Sequence, residues 1–372
     1  MKKVFIVSSI LFFFTGSFYG AYYFFLKEGR SKEVNKTENI IGEKSDKKEN
    51  GQMKKISKIS DFRSFALSLD EEGGKIKYYN LDEKGFWLSS FDGSFKKKLS
   101  SDDFVNLKEV LWAKDSKKAL LKIDDSYYIY APGAEKVLIK KSDTMNWLNF
   151  DQEIAYTFED SNTGKKTINV ANPDGSGWKE VAELKNANLI MQTIPRSAKT
   201  AFWPKADSFV ETEMMTLSAG GIDLEKKGDL KYGADYLWST GGDKFLRSYV
   251  MEKGGNNLVL EMCHPKDANC VNLNFPTIVS KCVWLKDDKN IICAQIKNLD
   301  KSTVMPNDYW SKKFFSEDMF WKINTENMKK EKIVEEKDME ESIDAINLLL
   351  SPNEDFLFFI NRRDDKLFRI IL

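Results

Sequence analysis

The string WLKDDKNIIC, from Trp284 to Cys293, reads as a β-hairpin. A large apolar side chain closes one strand, a polar stretch of Asp, Asn and Lys makes the turn, and an apolar run opens seven residues after the tryptophan. The pattern recurs in both directions. WSTGGDKFLR begins at Trp238, IPRSAKTAFW at Ile194, WLNFDQEIAY at Trp147, WAKDSKKALL at Trp112 and LSPNEDFLFF at Leu350. A looser copy, LSLDEEGGKI, begins at Leu67 with two extra residues in its turn. Successive anchors stand 45, 35, 47, 44, 46 and 66 residues apart.

Further strand pairs fall between the anchors. Phe86-Trp87-Leu88 turns through Asp92-Gly93 toward Lys98-Leu99, and residues 167–170 turn through Pro173-Asp174-Gly175 toward 178–181. Asp-Gly between alternating segments is a strong hairpin signal. About four short strands in a unit of roughly 40–50 residues describe a β-propeller blade. The expected fold is all-β: a propeller of seven blades, or of six if the Leu67 copy is not an independent unit. Only two strands follow Leu350, at 356–360 and 367–371, and residues 54–59 are placed to add the missing outer strand and remove an exposed edge. The WLKDDK and LSPNED strings and the Asp-Gly turns resemble the repeats of TolB-like and WD40-like propellers. Residues 281–294 and 320–324 resemble membrane-anchored propellers of small-genome uncultured bacteria. These resemblances imply a fold and no particular reaction. The Gly-His and Trp-Asp dipeptides of WD40 proteins are absent, so their scaffolding role is not carried over.

Acidic and basic side chains cancel over the 372 residues, 57 to 57, but unevenly. Residues 1–55 hold eleven Lys/Arg to six Asp/Glu, leaving the rest acidic at 46 to 51. An acidic folded part argues against nucleic acid as a partner, and a single histidine, His264, excludes mechanisms that need two. Residues 4–26 are uncharged and rich in Phe, Tyr, Ile and Val. As a helix they would span roughly 34 Å, enough for a hydrocarbon core of about 30 Å. The apolar run is longer than that of a cleaved signal peptide. Residues 1–26 therefore read as an N-terminal transmembrane anchor, 27–53 as a charged flexible linker, and 54–372 as the propeller domain.

All four cysteines fall between 263 and 293. If Trp284 faces Ile291 across its hairpin, Cys282 faces Cys293 within disulfide reach. Cys263 and Cys270 flank a six-residue loop, 264–269, that they can close. Two local disulfides are expected, which places the domain in an oxidising compartment outside the cytoplasm. Free buried thiols are one alternative. A zinc site using these cysteines or His264 is another, although the spacings do not resemble the usual close Cys pairs.

The interval between Trp284 and Leu350 holds an insertion, residues 299–318, between the second and third strands of its unit. Its Tyr309, Trp310, Phe314 and Phe315 are the candidate ligand- or partner-binding residues, against the alternative of a plug packed onto the propeller. There is no Gly-x-Ser-x-Gly elbow. Asp92, Asp174, Asp287 and Asp288 sit in turns, where Asp serves the backbone. Asp207, Glu211 and Glu213 are the carboxylates on offer to a paired-acid glycosidase. The expected protein is single-pass in the cell membrane. Its extracytoplasmic propeller, with blade anchors Trp112, Trp147, Trp238 and Trp284, binds or scaffolds a protein, peptide or glycan at the cell envelope. No catalytic residue, cofactor or metal is expected; a glycan hydrolase or lyase with carboxylates in the central pocket is the alternative.

Overall fold

The structure, a computed structural model, describes residues 54–372 apart from 186–187, 222 and 267–268. The expected membrane helix at 4–26 and the linker at 27–53 lie outside the described residues. Among the described residues, no helix is long and apolar enough to cross a membrane.

The chain runs as antiparallel strands joined by turns. β1 is Ile56–Leu69, β2 Ile76–Asn80, β3 Gly85–Ser89 and β4 Lys96–Lys98. Next come β5 Leu107–Trp112, β6 Ala119–Ile123, β7 Ser126–Tyr130 and β8 Val137–Lys141, then β9 Met145–Leu148, β10 Glu153–Glu159, β11 Lys166–Ala171 and β12 Lys179–Leu184. β13 is Leu189–Thr193, β14 Thr200–Pro204, β15 Glu211–Leu217, β16 Leu224–Trp238, β17 Phe245–Val250, β18 Leu258–Cys263 and β19 Cys270–Asn272. The last are β20 Cys282–Trp284, β21 Asn290–Ile296, β22 Asp318–Asn324, β23 Lys330–Lys332, β24 Ala345–Leu350, β25 Phe356–Asn361 and β26 Lys366–Ile371. β5–β8, β9–β12 and β20–β23 are four-stranded meanders. Two seven-stranded sheets, β24-β25-β26-β1-β2-β3-β4 and β13 to β19, are each bent around one long strand. β1 pairs with β26 through Ile56–Arg63 and with β2 through Ser64–Leu69. β16 leaves β15 for β17 at a register break between Tyr232 and Asp235, where Gly233 takes φ 62°.

Register explains the repeat. Trp112 pairs with Ala119, Trp147 with Ile154, Trp238 with Phe245, Trp284 with Ile291 and Leu350 with Leu357, seven residues on in each case. The same offset falls at Leu69–Ile76 and Thr193–Thr200. The anchors of those two units are therefore Leu69 and Thr193, not Leu67 and Ile194, and the extra turn residues of the first copy belong to its strand. In six units the first turn residue donates its N–H to the carbonyl five places on and accepts from the fourth, as in Leu285 N to Asn290 O (2.9 Å) and Asp288 N to Leu285 O (3.1 Å). In five of them the fourth residue (Gly73, Ser116, Gly242, Asp288, Glu354) has φ between 53° and 76°, and in the turn after Thr193 the left-handed residue is the third, Arg196 (φ 54°). That left-handed conformation suits Gly and Asp, which is why the turns are polar.

Each core is shared by two successive groups of strands. β5–β7 pack on β9–β11 around Trp147 and Tyr156; β16–β18 pack on β20–β22 around Trp284 and Ile291. Neighbouring anchors are also stitched by hydrogen bonds. Trp147 Nε1 donates to Leu111 O (2.9 Å) and Trp284 Nε1 to Leu237 O (3.2 Å), in both cases the carbonyl one residue before the preceding anchor. The circle closes where β1 and β2 bury Ile59, Ile76 and Tyr78 against Phe358, Ile360 and Leu367. Small sheets packed face to face around a closed succession make a β-propeller.

Candidate functional site

The two faces of the disc are built differently. Ile371 N donates to Lys55 O and Leu372 N to Asp355 O, both 2.9 Å, so the chain enters the domain on the face that carries the repeat turns. The connection from β21 to β22, residues 297–317, lies on the opposite face. It is much longer than its counterparts and contains one short helix, α1 (Asn307–Trp310).

This insertion is strapped down at both ends. Ser208 N and Oγ donate to Asn307 Oδ1 (2.9 and 2.8 Å), and Asn307 Nδ2 donates to Asp207 Oδ1 (2.8 Å). Pro306 Cδ lies where a Cβ on Gly233 would sit only 3.0 Å away, so the bend of β16 also seats the insertion. At the other end Arg362 lies over Tyr309 and Phe315, 4.0 and 4.6 Å from the ring centroids. Its guanidinium donates to Phe314 O (3.2 Å) and Tyr309 O.

Beneath the insertion is a buried charge network. Lys281, just before β20, is fully buried; its Nζ stands 2.6 Å from Asp318 Oδ2 and 2.7 Å from Asp344 Oδ1 and donates to Ala345 O at 3.1 Å. Asp344, just before β24, also takes Arg362 Nη1 (2.8 Å), Tyr309 OH (2.9 Å) and Ser316 Oγ (2.9 Å). Two cations balance two carboxylates, and breaking such a pair underground is costly. Burial alone would push the Asp344 carboxyl up, but Lys281, Tyr309 and Arg362 together hold it below its ordinary value. Asp318 goes the other way. Burial raises it and Lys281 only partly compensates, and its Oδ1 finds no donor among the described residues. Tyr309 is raised well above an ordinary phenol by burial and by the two carboxylates.

Of the four aromatic residues expected to meet a partner, Tyr309 is buried, while Trp310, Phe314 and Phe315 are half-buried against the domain. Exposed apolar side chains on this face include Phe209, Val210 and Met251, at 51%, 50% and 65%. Phe209 and Met251 lie on neighbouring loops joined by Gly254 N to Ser208 O (2.8 Å). Beside the insertion is a cleft of about 320 Å³ lined by Glu317, Asp318, Glu336, Glu340 and Glu341. Lys297 pairs with Glu336, Lys54 with Glu340 (2.7 Å) and Lys58 with Glu341 (3.5 Å).

The other candidates have local roles. Asp207 holds Asn307, Glu213 pairs with Lys226 (2.6 Å) and Glu211 is exposed. Asp92, Asp174 and Asp287 accept backbone N–H groups within their own turns, and Asp288 accepts from Thr240 and Gly241 of the neighbouring turn. The cysteines pair as Cys263–Cys270 and Cys282–Cys293, each joining directly opposed residues. Glu261, Cys263 and Cys270 are the one group among the described residues with the spacing of a metal site, and both sulfurs are consumed by the disulfide, so it does not fit a metal. Lys281, Asp318, Asp344 and Arg362 were not singled out from the sequence. The available signal was a charged residue abutting the inner apolar strand of two units, at Lys281 and Asp344.

No known protein family and no curated protein matches the sequence. Solved structures do. An oligogalacturonate lyase in complex with manganese is similar over 85% of this chain and 93% of its own, at TM-score 0.61 and 10% identity. The Swd1 β-propeller domain of Myceliophteria thermophila is similar over 85% and 99%, at TM-score 0.54 and 8% identity. TolB from Acinetobacter baumannii covers 72% of this chain and 62% of its own, at TM-score 0.43 and 10% identity. Identities this low speak for the fold alone, and the resemblance to propeller repeats holds at that level: the chain folds as a β-propeller.

Proposed function

We propose that this chain is a binding module: a seven-bladed propeller, with β1 and β16 each serving two blades, held at the outer face of the cell membrane by residues 4–26. It captures a protein, peptide or glycan through the insertion face and carries out no catalysis. The observation that carries this reading is the strapping of residues 297–317. A fully buried charge network gives that face a fixed contour, and Phe209, Val210 and Met251 remain exposed beside it. Pre-organisation of this kind lowers the ordering cost of association. The chain enters the domain on the opposite face.

The test is a crosslinking capture from native membranes with the parent chain and a Phe209→Glu/Met251→Glu variant. A partner recovered by the parent and lost by an equally stable variant is expected; identical recovery from both overturns the reading. The likeness to an oligogalacturonate lyase over 85% of the chain favours a second reading, a glycan lyase. Incubation with oligogalacturonates, followed by the ultraviolet absorbance of unsaturated products, decides it.

A further inference from the structure

On the outer rim, in strands that share no residue with the insertion, the ammonium of Lys140 sits among three aromatic rings. Lys140 lies on β8. Its Nζ is 5.1 Å from the ring centroid of Tyr156, 4.7 Å from Phe158 and 5.1 Å from Trp178. It also donates to Tyr156 OH at 3.4 Å. Elsewhere among the described residues a lysine meets one ring or two, as Lys118 does over Trp147 and Lys136 over Phe104 and Tyr128.

The walls are fixed by the fold. Tyr156 and Phe158 stand two places apart on β10 and so share one face of that strand. Tyr156 is fully buried and packs with Trp147 and Tyr127. Trp178 arrives from the turn that opens β12. That turn rests on β8, where a Cβ on Gly175 would meet Ile139 Cγ2 at 3.1 Å. Trp178 itself is 58% exposed, so the third wall borders solvent and the occupant has a way out.

We propose that Tyr156, Phe158 and Trp178 form a binding cage for a quaternary ammonium group, which Lys140 fills until such a ligand displaces it. Ring faces attract any cation, and a three-ring enclosure is the arrangement that selects methylated ammonium groups. Lys140 is a poor match for it. A primary ammonium is strongly hydrated and gives up that hydration inside the cage. Among the described residues no carboxylate pairs with Lys140, and burial pulls its basicity below the ordinary lysine value. A quaternary ammonium carries the same charge with little hydration to lose, and its methyl groups fill the ring faces. The site shares no residue with the insertion or with Phe209, Val210 and Met251, and it stands whether or not those bind a partner.

The experiment titrates choline into the full chain in detergent solution, following tryptophan fluorescence and heat, alongside 3,3-dimethylbutanol, its uncharged carbon analogue. Saturable binding of choline and none of the alcohol is expected in the parent. Lys140→Ala is expected to bind about tenfold more tightly, since no occupant has to leave, and Trp178→Ala to lose binding. Lys140→Gln serves as the second variant should the alanine form fail to fold. Phosphocholine and Nε-trimethyl-lysine carry the same head group from the two sources that display it, lipid and modified protein. Saturation by either sustains the assignment. No saturation by choline, phosphocholine or trimethyl-lysine, or equal binding of the neutral alcohol, overturns it.

Discussion

Asp235 is a carboxylate buried in the domain with two donors and, among the described residues, no paired cation. Trp203 Nε1 (2.9 Å) and Tyr236 N (3.0 Å) both reach Oδ1. Burial pushes its pKa up to about 6. The folded state thus holds the proton more tightly than the unfolded chain does. Stability from this group is fully present below about pH 4 and is lost as pH rises through about 6. Asp235→Asn keeps the acceptor and removes the charge. It is expected to raise stability at pH 7.5 by up to about 3 kcal/mol and to have no effect near pH 4; melting curves across that range check it, and a pH-independent difference would contradict the assignment. Lys281 makes the converse case. Lys281→Met leaves Asp318 and Asp344 with one cation between them and is expected to cost about 3–5 kcal/mol in urea unfolding. Adding Asp318→Asn restores charge balance with Arg362 and should recover more than half of that loss. If the single variant falls within about 1 kcal/mol of the parent, the network does not hold the insertion.

At the level of elements, what could be read from the sequence was what is local. Most turns after an anchor need a left-handed residue at their fourth place, and Gly, Asp and Ser at Gly242, Asp288 and Ser116 leave a visible trace. Where the trace blurs, the pattern misplaces the anchor: Ile194 and Leu67 stand one residue after and two before the paired positions Thr193 and Leu69. The cysteine pairs were legible because register is arithmetic along one hairpin, and Cys282 does face Cys293. The charge network was not legible, since its partners stand 37 and 63 residues from Lys281 and no periodicity joins them. The fate of Tyr309 depends on that network, which draws the ring inward. The disulfides close loops of sequence separation 7 and 11, for which chain entropy gives about 2.5 kcal/mol each. Mass spectrometry of unreduced, denatured protein should therefore find no reactive thiol, and reduction should lower the unfolding midpoint. Four reactive thiols before reduction would remove both bridges and the argument for an oxidising compartment.

At the scale of the whole molecule, a ring of sheets must join its first and last strands, and here one short segment makes the joint. β1 begins as the outer strand beside β26 and then turns inward to pair with β2. Its first residues touch two cores at once. Ile56 packs with Phe368, Ile370 and Ile343, while Ile59 packs with Ile76, Tyr78 and Phe358. Arg369 Nε donates to Ser57 Oγ at 2.8 Å, tying the joint from the other side. A chain beginning at residue 60 loses both isoleucines, worth about 1.5–3 kcal/mol each, and leaves β26 as an open edge able to pair with another copy. The expected result, relative to a chain beginning at residue 54, is a fall in unfolding free energy of at least about 3 kcal/mol together with concentration-dependent light scattering. Residues 54–59 supplied as a separate peptide should suppress the scattering by re-covering the edge. An unchanged urea midpoint in the shortened chain would mean that the circle is held by core packing between the first and last sheets, with the shared strand adding nothing.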